Sequence, residues 1–494
     1  MVKVKEELIT IESLRKKIVS YMKKDWSFIE KAYYYAEKFH ANQFRESGES
    51  YIIHPLTVTY ILAGMHADRD TLCAALLHDL IEDTSVTYED IKYNFNEEIA
   101  YLVDGVTKFS HLNFSNKDEF QATNIRRLVV SIKEDARIVI IKLVDRLHNM
   151  RTIEYKNEDR RKEISLQTLE IYVPLAYYIG AYKIKSELED LCFKSLKIKD
   201  YYDLSKKVSN IYNSNKPMLN NMIFNVKKAL NSDAIKCTVS THCKDLYSVY
   251  KKMMTKGVPL ENIHDLLTIE IIVKNVRDCY LALMIVHSLY TPLNYKFKDY
   301  IVKPKTNMYR ALHTTVFNSG EHLVQFQIRT REMERIATYG LTSFWFKNRH
   351  MAKNEMQKAL ENDFQFFKSI EELDSSIVDN IEFVRLLKRE LFSRNVYVRT
   401  TSGEVLELPL DATPIDFAYK IHSDIGNTMI AAVVNERIVP VEYKLQNNDR
   451  VRIICDKNVS VDRKEWLSIA VTTHAKKKIM EYLKNTDNKL KDDE

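Results

Sequence analysis

Cys73-Ala-Ala-Leu-Leu-His-Asp-Leu-Ile-Glu-Asp83 closes an apolar segment with four side chains that bind metals or move protons: His78, Asp79, Glu82 and Asp83. The stretch reads as a buried helix, and charge is costly there. Burying a carboxylate beside Leu76, Leu77, Leu80 and Ile81 costs on the order of several kcal/mol unless something pairs with it. A divalent cation is one such partner; a helix end whose acids lie in solvent is the alternative. On a continuous helix Glu82 follows His78 by four residues and Asp79 by three, so the three share a face.

The flanking sequence favours the cation. Upstream, His54 precedes Pro55, and proline suits the first helical position, which places His54 at the cap of a helix running to about Met65. A polar loop from His40 feeds it, carrying Arg45, Ser47 and Tyr51, and an arginine there is placed to clamp a phosphate. Downstream, the apolar run Ile138 to Leu143 leads into Asp145, Asn149 and Thr152 at helical i, i+4, i+7 spacing. That face is polar where its helix should be core.

His54, His78, Asp79 and Asp145 make a mixed nitrogen and oxygen ligand set that suits manganese, iron or zinc better than calcium, and no thiolate is present to close a structural zinc site. Four protein ligands leave open positions on a six-coordinate metal for water and a phosphate oxygen, as metal-assisted phosphoester hydrolysis requires. The order His…His-Asp…Asp resembles the HD phosphohydrolases.

The 494 residues are enough for two to four domains, and 45% hydrophobic content is ordinary for globular material. A net charge of +6 is too mild to point to nucleic acid by itself. Six scattered cysteines without a C-x-x-C pair, and a polar opening rather than a signal peptide, lead to the expectation of a reducing cytoplasm. No apolar run approaches the roughly 18 residues of a membrane span. With nine glycines, none close to another, the chain has neither a P-loop nor a G-x-G-x-x-G turn. Any nucleotide would have its phosphates held by metal ions and side-chain cations.

Residues 1–200 read as almost wholly helical, with Trp26 to Phe39 as one helix, a turn over Leu102 to Lys108, and Leu166 to Ala176 continuing the core. Tyr51-Ile-Ile-His-Pro55, His78-Asp-Leu-Ile-Glu-Asp-Thr84, Gly105-Val-Thr-Lys108, Lys142-Leu-Val-Asp-Arg-Leu-His-Asn-Met-Arg-Thr152 and Lys183-Ile-Lys-Ser-Glu-Leu-Glu-Asp190 together resemble the long RelA/SpoT homologues, the enzymes of (p)ppGpp metabolism. The resemblance implies an all-α HD hydrolase domain in which His54, His78, Asp79 and Asp145 bind Mn2+. It also implies that Glu82 and Asp83 position and deprotonate the attacking water, and that Arg45, Ser47, Asn149 and Thr152 surround the guanosine and its 3′-pyrophosphate. Two positions depart from the family pattern: Glu46 replaces a basic residue, and Tyr177-Tyr178 replaces His-Arg in the hinge toward the next domain.

Residues 201–350 resemble the family's synthetase domain, an α/β nucleotidyltransferase-like fold that transfers pyrophosphate from ATP to the 3′-hydroxyl of GDP or GTP. Lys244-Asp-Leu-Tyr-Ser-Val-Tyr250, His264-Asp-Leu-Leu267, Asn307-Met-Tyr-Arg-Ala-Leu-His313 and Gln327-Ile-Arg-Thr330 carry the likeness. The family's catalytic glutamate is Gln325 here, and an amide cannot accept a proton. Thr241-His-Cys-Lys244 lacks the glycine and arginine of the ATP loop, Glu270 stands where an arginine closes a strand, and Phe344 replaces a histidine. Asp265, Tyr309 and His313 remain. The domain is expected to be a degenerate, non-synthesising member whose guanine site either still stacks a base or is simply packed.

A charged helical connector is expected over 351–392, then a small β-grasp TGS domain over 393–457, in which Thr413-Pro-Ile-Asp416 reads as N-cap, N1 proline and N3 acid. In relatives the counterpart of His422 lies against the tRNA acceptor end; at a helix end it serves equally as a capping residue. A basic helical tail fills 458–494. The helical, zinc-finger and ACT modules of the long architecture have no counterpart, which weakens the expectation of ribosome recruitment. The leading expectation is a Mn2+-dependent pyrophosphohydrolase of guanosine tetra- and pentaphosphate yielding GDP or GTP. A bifunctional enzyme, or a weakly catalytic sensor of nucleotide or uncharged tRNA, is the alternative.

Overall fold

The structure is a computed structural model that describes residues 9–107, 123, 126, 130, 135–305, 307–318, 323–343, 379–383, 395–456 and 463–492. The chain divides into two compact units, Met1–His111 with Ser131–Phe366, and Leu112–Val130 with Phe367–Glu494. The expected domain 201–350 and all of the expected domain 1–200 except Leu112–Val130 fall in the first unit.

The first unit opens with helices α1 (Ile11–Met22), α2 (Trp26–Phe39), α3 (Ile53–Gly64), α4 (Arg69–Leu77), α5 (Leu80–Asp83), α6 (Tyr88–Asn94), α7 (Glu97–Thr107) and α8 (Ala136–Arg151). Helices α9 (Glu158–Gln167), α10 (Val173–Tyr178) and α11 (Tyr182–Leu196) follow, with a π-helical turn at Thr168–Tyr172. Helix α3 packs against α4 and α8, and all three are buried around most of their circumference. A helix apolar on every side belongs in a core, so any polar residue on it faces protein. Asp68 starts α4 by accepting a hydrogen bond from the Thr71 N–H at 3.0 Å, and Asp135 starts α8 in the same way through Arg137 N.

Three local expectations change. His54 is not a cap: α3 begins at Ile53, His54 is its second residue, and Pro55 follows within the first turn, where backbone N–H groups have no intrahelical partner for a proline to remove. The segment His78 to Asp83 is not one helix. Helix α4 stops at Leu77, His78 and Asp79 form a turn, and α5 resumes at Leu80. Residues 102–107 are the end of α7 rather than a turn, and Lys108 lies outside the described residues.

The rest of the first unit is a 35-residue helix α12 (Ile198–Ser232), helices α13 (Leu246–Lys256), α14 (Val276–Leu289) and α15 (Arg331–Tyr339), and a sheet. Its strands are β1 (Thr238–Cys243), β2 (Leu267–Val273), β3 (Thr291–Pro292), β4 (Lys298–Asp299), β5 (Leu312–Phe317) and β6 (Leu323–Thr330), in the order β1-β2-β6-β5-β3 with β4 on β5. Strands β2 and β6 are parallel and pair Thr268 with Gln325 and Glu270 with Gln327. Period-two alternation sends Ile269, Ile271, Phe326 and Ile328 into the core, and Thr268, Glu270, Gln325, Gln327 and Arg329 to the opposite face, which lines a cavity.

The helical and sheet halves meet backbone to backbone at two glycines. Gly180 and Gly340 have φ of +74° and +58°, and a Cβ on Gly340 would lie 2.1 Å from the Ile179 carbonyl oxygen. Only glycine fits there. Beside them Asn307 Nδ2 donates to the Tyr177 carbonyl at 3.1 Å, so the variant hinge residue Tyr177 still joins the two halves through its backbone.

In the second unit, strands β7 (Asn395–Thr400), β8 (Val405–Pro409), β9 (Met429–Val434), β10 (Arg437–Val439) and β11 (Arg450–Cys455) form a mixed sheet in the order β10-β9-β11-β7-β8. Helix α16 (Pro414–Ile421) packs on it and begins with the expected Thr413–Asp416 capping box. Buried Asp416 also accepts from Val471 N, Thr472 N and the Thr472 hydroxyl, tying the following segment down. Gly403, φ +90°, makes the expected turn between β7 and β8. Helices α17 (Ser423–Thr428), α18 (Trp466–Ile469) and α19 (Thr473–Asp492) complete the unit. Most of the connector 351–392 lies outside the described residues, as does Phe344. Among the described residues no helix is long and apolar enough to cross a membrane.

Candidate functional site

The break after Leu77 positions the site. In the turn, His78 Nδ1 lies 2.8 Å from the Ala75 carbonyl, which requires the proton on Nδ1 and leaves the Nε2 lone pair free. That Nε2 is buried, has no hydrogen-bond partner among the described residues, and lies 3.2 Å from Asp79 Oδ1. From α3, His54 Nε2 lies 3.2 Å from Asp145 Oδ1 on α8 and 3.6 Å from Asp79 Oδ2. His54, His78 and Asp145 each offer a ligand atom, all within 4.8 Å of one another. The four side chains singled out in the sequence therefore converge, drawn from α3, α8 and the turn between α4 and α5.

Electrostatics keep the carboxylates charged. Burial acts to raise Asp145, yet Lys142 at 3.2 Å and the His54 imidazole hold it well below the usual carboxylate range. Asp79 is likewise buried and is held low by His78 and His54. Burial keeps the His54 imidazole below its ordinary value despite the pull of Asp145 and Asp79. Ionised carboxylates and two imidazoles, one with a buried ring nitrogen that has no hydrogen-bond partner among the described residues, form a donor set for a divalent cation.

The surrounding groups divide. Tyr51 approaches two carboxylates, donating at 2.9 Å to Asp79 Oδ2 and at 2.7 Å to Asp83 Oδ2; its one phenolic proton serves only one at a time. Burial, then Asp79 and Asp83, push that hydroxyl far up, so it remains a donor. Arg45 Nη2 donates to Asn149 Oδ1 at 2.8 Å, and Asn149 Nδ2 donates to Asp145 Oδ1 at 2.6 Å, which links both residues to the centre. Glu82 is half-buried, with no hydrogen-bond partner among the described residues. Ser47 donates to Glu49 at 3.3 Å, and the Thr152 hydroxyl turns back onto the His148 and Asn149 carbonyls. Glu46 pairs with Lys156 at 2.5 Å, so a cation from the start of the next helical segment stands beside the position where the family pattern has a basic residue.

Sequence reasoning gave no role to Tyr51, Lys142 or His148. His148 is buried and in contact with both His54 and Arg45; burial, then His54 and Arg45, push its imidazole down to about 2. Its position three residues after Asp145 was the available signal, since i and i+3 share a helix face.

The second-domain cavity, about 1730 Å³, has Asp265, Tyr309, His313 and Gln325 among its lining residues. Two of its charged groups, Asp265 and Arg329, pair internally. Asp265 accepts from Lys244 at 2.7 Å and from Lys252 at 2.5 Å, and Arg329 is held by Glu270 and Glu334. Gln325 accepts from Gln327 at 3.0 Å, and the Tyr309 hydroxyl lies 2.8 Å from His313 Nε2. Lys305 sits among the rings of Tyr182, Tyr300 and Tyr309, and burial with nearby Lys298 pushes it down to about 8. In the second unit exposed His422 caps α17, its Nδ1 accepting from Asp424 N at 3.2 Å.

The fold and the clustered donors define an HD-type protein joined to a nucleotidyltransferase-like sheet. Residues 32–181 match the HD domain, 241–351 match the region found in RelA/SpoT proteins, and 396–455 match the TGS domain. The chain is 40% identical over 484 residues to the guanosine-3′,5′-bis(diphosphate) 3′-pyrophosphohydrolase of Aquifex aeolicus, covering 97% of this chain and 68% of that one. It is 38% identical to the bifunctional (p)ppGpp synthase/hydrolase SpoT of Escherichia coli K12, covering 96% and 67%, and 38% identical to the GTP pyrophosphokinase of Myxococcus xanthus, covering 93% and 61%. The chain belongs to the RelA/SpoT family, and spans roughly two thirds of the length of these relatives.

Proposed function

We propose that the chain hydrolyses the 3′-pyrophosphate of (p)ppGpp, giving GDP or GTP and pyrophosphate, and that the second domain does not synthesise. The observation that carries the hydrolytic reading is the convergence of His54, His78, Asp79 and Asp145 around the unpartnered His78 Nε2. These four would hold Mn2+, which when bound polarises a phosphoryl oxygen and acidifies water. Arg45, fixed through Asn149, clamps the 3′-pyrophosphate with Ser47, while Asn149 and Thr152 border the guanosine. Glu82 and Asp83 take the proton of the attacking water; its hydroxyl joins the phosphorus, the bond to the ribose 3′-oxygen breaks, and a proton ends on that oxygen. Tyr51 keeps Asp83 aimed at the centre.

Loss of synthesis is supported by Gln325, which bonds Gln327 and cannot act as base, and by Glu270, which draws Arg329 into an ion pair. A TGS contact with uncharged tRNA through His422 remains a weaker reading, supported by the exposure of that ring.

The test is turnover of the purified chain with ppGpp, and separately with ATP plus GDP, under Mn2+, Mg2+ and chelation. Mn2+-dependent pyrophosphate release without synthesis is expected. Asp79→Ala should lower it by at least about 10³-fold through loss of the metal. Absence of hydrolysis with every metal would sink the reading, and synthesis would show that another acid replaces Gln325.

A further inference from the structure

Two ring nitrogens at the centre face each other at hydrogen-bond distance. His54 Nδ1 and His148 Nδ1 are 2.7 Å apart, with the ring centroids 4.9 Å apart and 28° between the planes, so the two rings meet nearly edge to edge. Such a pair holds one proton, so one nitrogen donates and the other accepts. Arg45 decides which. Its Nη1 lies 3.0 Å from the same His148 Nδ1, and a guanidinium has only donors. His148 Nδ1 is therefore the acceptor and carries no proton. His54 Nδ1 must be the donor, which strips the proton from His54 Nε2 and turns that lone pair toward Asp145 Oδ1 and Asp79 Oδ2.

We propose that His148 is a positioning residue: it sets the tautomer of His54 that can bind a metal, and ties the phosphate-clamping Arg45 to that ligand. The inference rests on the metal-centre reading above and adds a residue to it. His148 touches neither the metal nor the reacting atoms in this scheme; it acts as the acceptor that both His54 and Arg45 require. A change at Arg45 therefore reaches the metal, and a change at His148 reaches both metal and substrate. Partners of metal-ligating histidines are known to govern affinity in this way.

The experiment is Mn2+ binding to the full chain by calorimetry, with no nucleotide present, for two variants of nearly equal size. His148→Asn keeps an acceptor oxygen close to the Nδ1 position; His148→Leu removes it. The Leu variant is expected to bind Mn2+ about 10- to 100-fold more weakly and to raise KM for ppGpp, and the Asn variant to stay within about threefold of the unmodified chain. Equal binding by the two variants overturns the proposal, whether both are tight or both are weak. Should the Leu variant not fold, Arg45→Gln reads the same link from its partly exposed end. It should weaken Mn2+ by about 3- to 10-fold, although Arg45 is not a ligand, and unchanged binding would overturn the proposal. If the unmodified chain itself binds no Mn2+, the metal-centre reading fails first; if it binds and the variants do not differ, only the role of His148 fails.

Discussion

The centre around His54 and the cavity around Asp265 are built from the same kinds of side chain within one unit, and their carboxylates find different partners. At the first, Asp79 and Asp145, held below the usual carboxylate range, face the His54 and His78 rings, and the buried His78 Nε2 has no hydrogen-bond partner among the described residues. At the second, two lysines hold Asp265, two glutamates hold Arg329, and one amide satisfies another. A buried polar atom left unpaired costs about 1–3 kcal/mol, which a bound ligand can offset, whereas internally paired groups must be pulled apart before a ligand can use them. The difference teaches that the presence of family residues is a weaker sign of activity than the state in which the fold leaves them.

The largest expected effect sharpens the first half of that contrast. Glu82→Gln should lower ppGpp hydrolysis by about 10²- to 10⁴-fold while leaving Mn2+ content unchanged, because the proton acceptor is lost and the ligands are not. Single-turnover rates set beside metal analysis check this, and loss of metal would show that Glu82 belongs to the ligand set. Gly340→Ala tests whether the two halves are welded at the glycine pair. A Cβ placed 2.1 Å from the Ile179 carbonyl should destabilise the first unit by about 3 kcal/mol or more, read as a lowered midpoint in urea.

The second half of the contrast can be broken deliberately. Gln325→Glu alone should restore no synthesis from ATP and GDP, since Arg329 stays with Glu270 and Glu334. Adding Glu270→Arg should bring product at least about tenfold above the background at which the single variant stays, measured by nucleotide chromatography. If the single change suffices, internal pairing is not what silences the cavity.

The smallest effect is at the cavity edge. Burial pushes the Asp190 carboxyl up to about 6, against the hydrogen bond it accepts from Tyr247 N at 2.8 Å. A carboxyl whose folded pKa is raised binds more protons folded than unfolded between about pH 4 and 6, so its contribution to stability falls as pH rises through that window. Asp190→Asn keeps an acceptor for Tyr247 and removes the charge. It should stabilise the unit by about 1–2 kcal/mol at pH 7 and leave stability at pH 4 nearly unchanged, checked by urea unfolding at both values.

Much of this was legible from residue order. Leu76, Leu77 and Leu80 around His78 and Asp79 announced charge inside a core, and the spacing of Asp145 and Asn149 announced a polar stripe on a buried helix; both depend only on local periodicity. Thr413-Pro-Ile-Asp416 announced its capping box for the same reason. Gln325 and Glu270 were readable as chemical losses, because an amide is no base in any fold.

Other features needed the chain brought together. Nothing local to His148 shows that Arg45, 103 residues away, and His54, 94 residues away, meet at one of its nitrogens. The break between Leu77 and Leu80, the sharing of one Tyr51 proton between Asp79 and Asp83, and the capture of Arg329 by Glu270 are likewise products of packing. Side-chain type and helical or strand period are properties of neighbours in sequence. Protonation state, tautomer and pairing depend on what burial and distant charges do to a group, and those are set only when the helices and the sheet close around it.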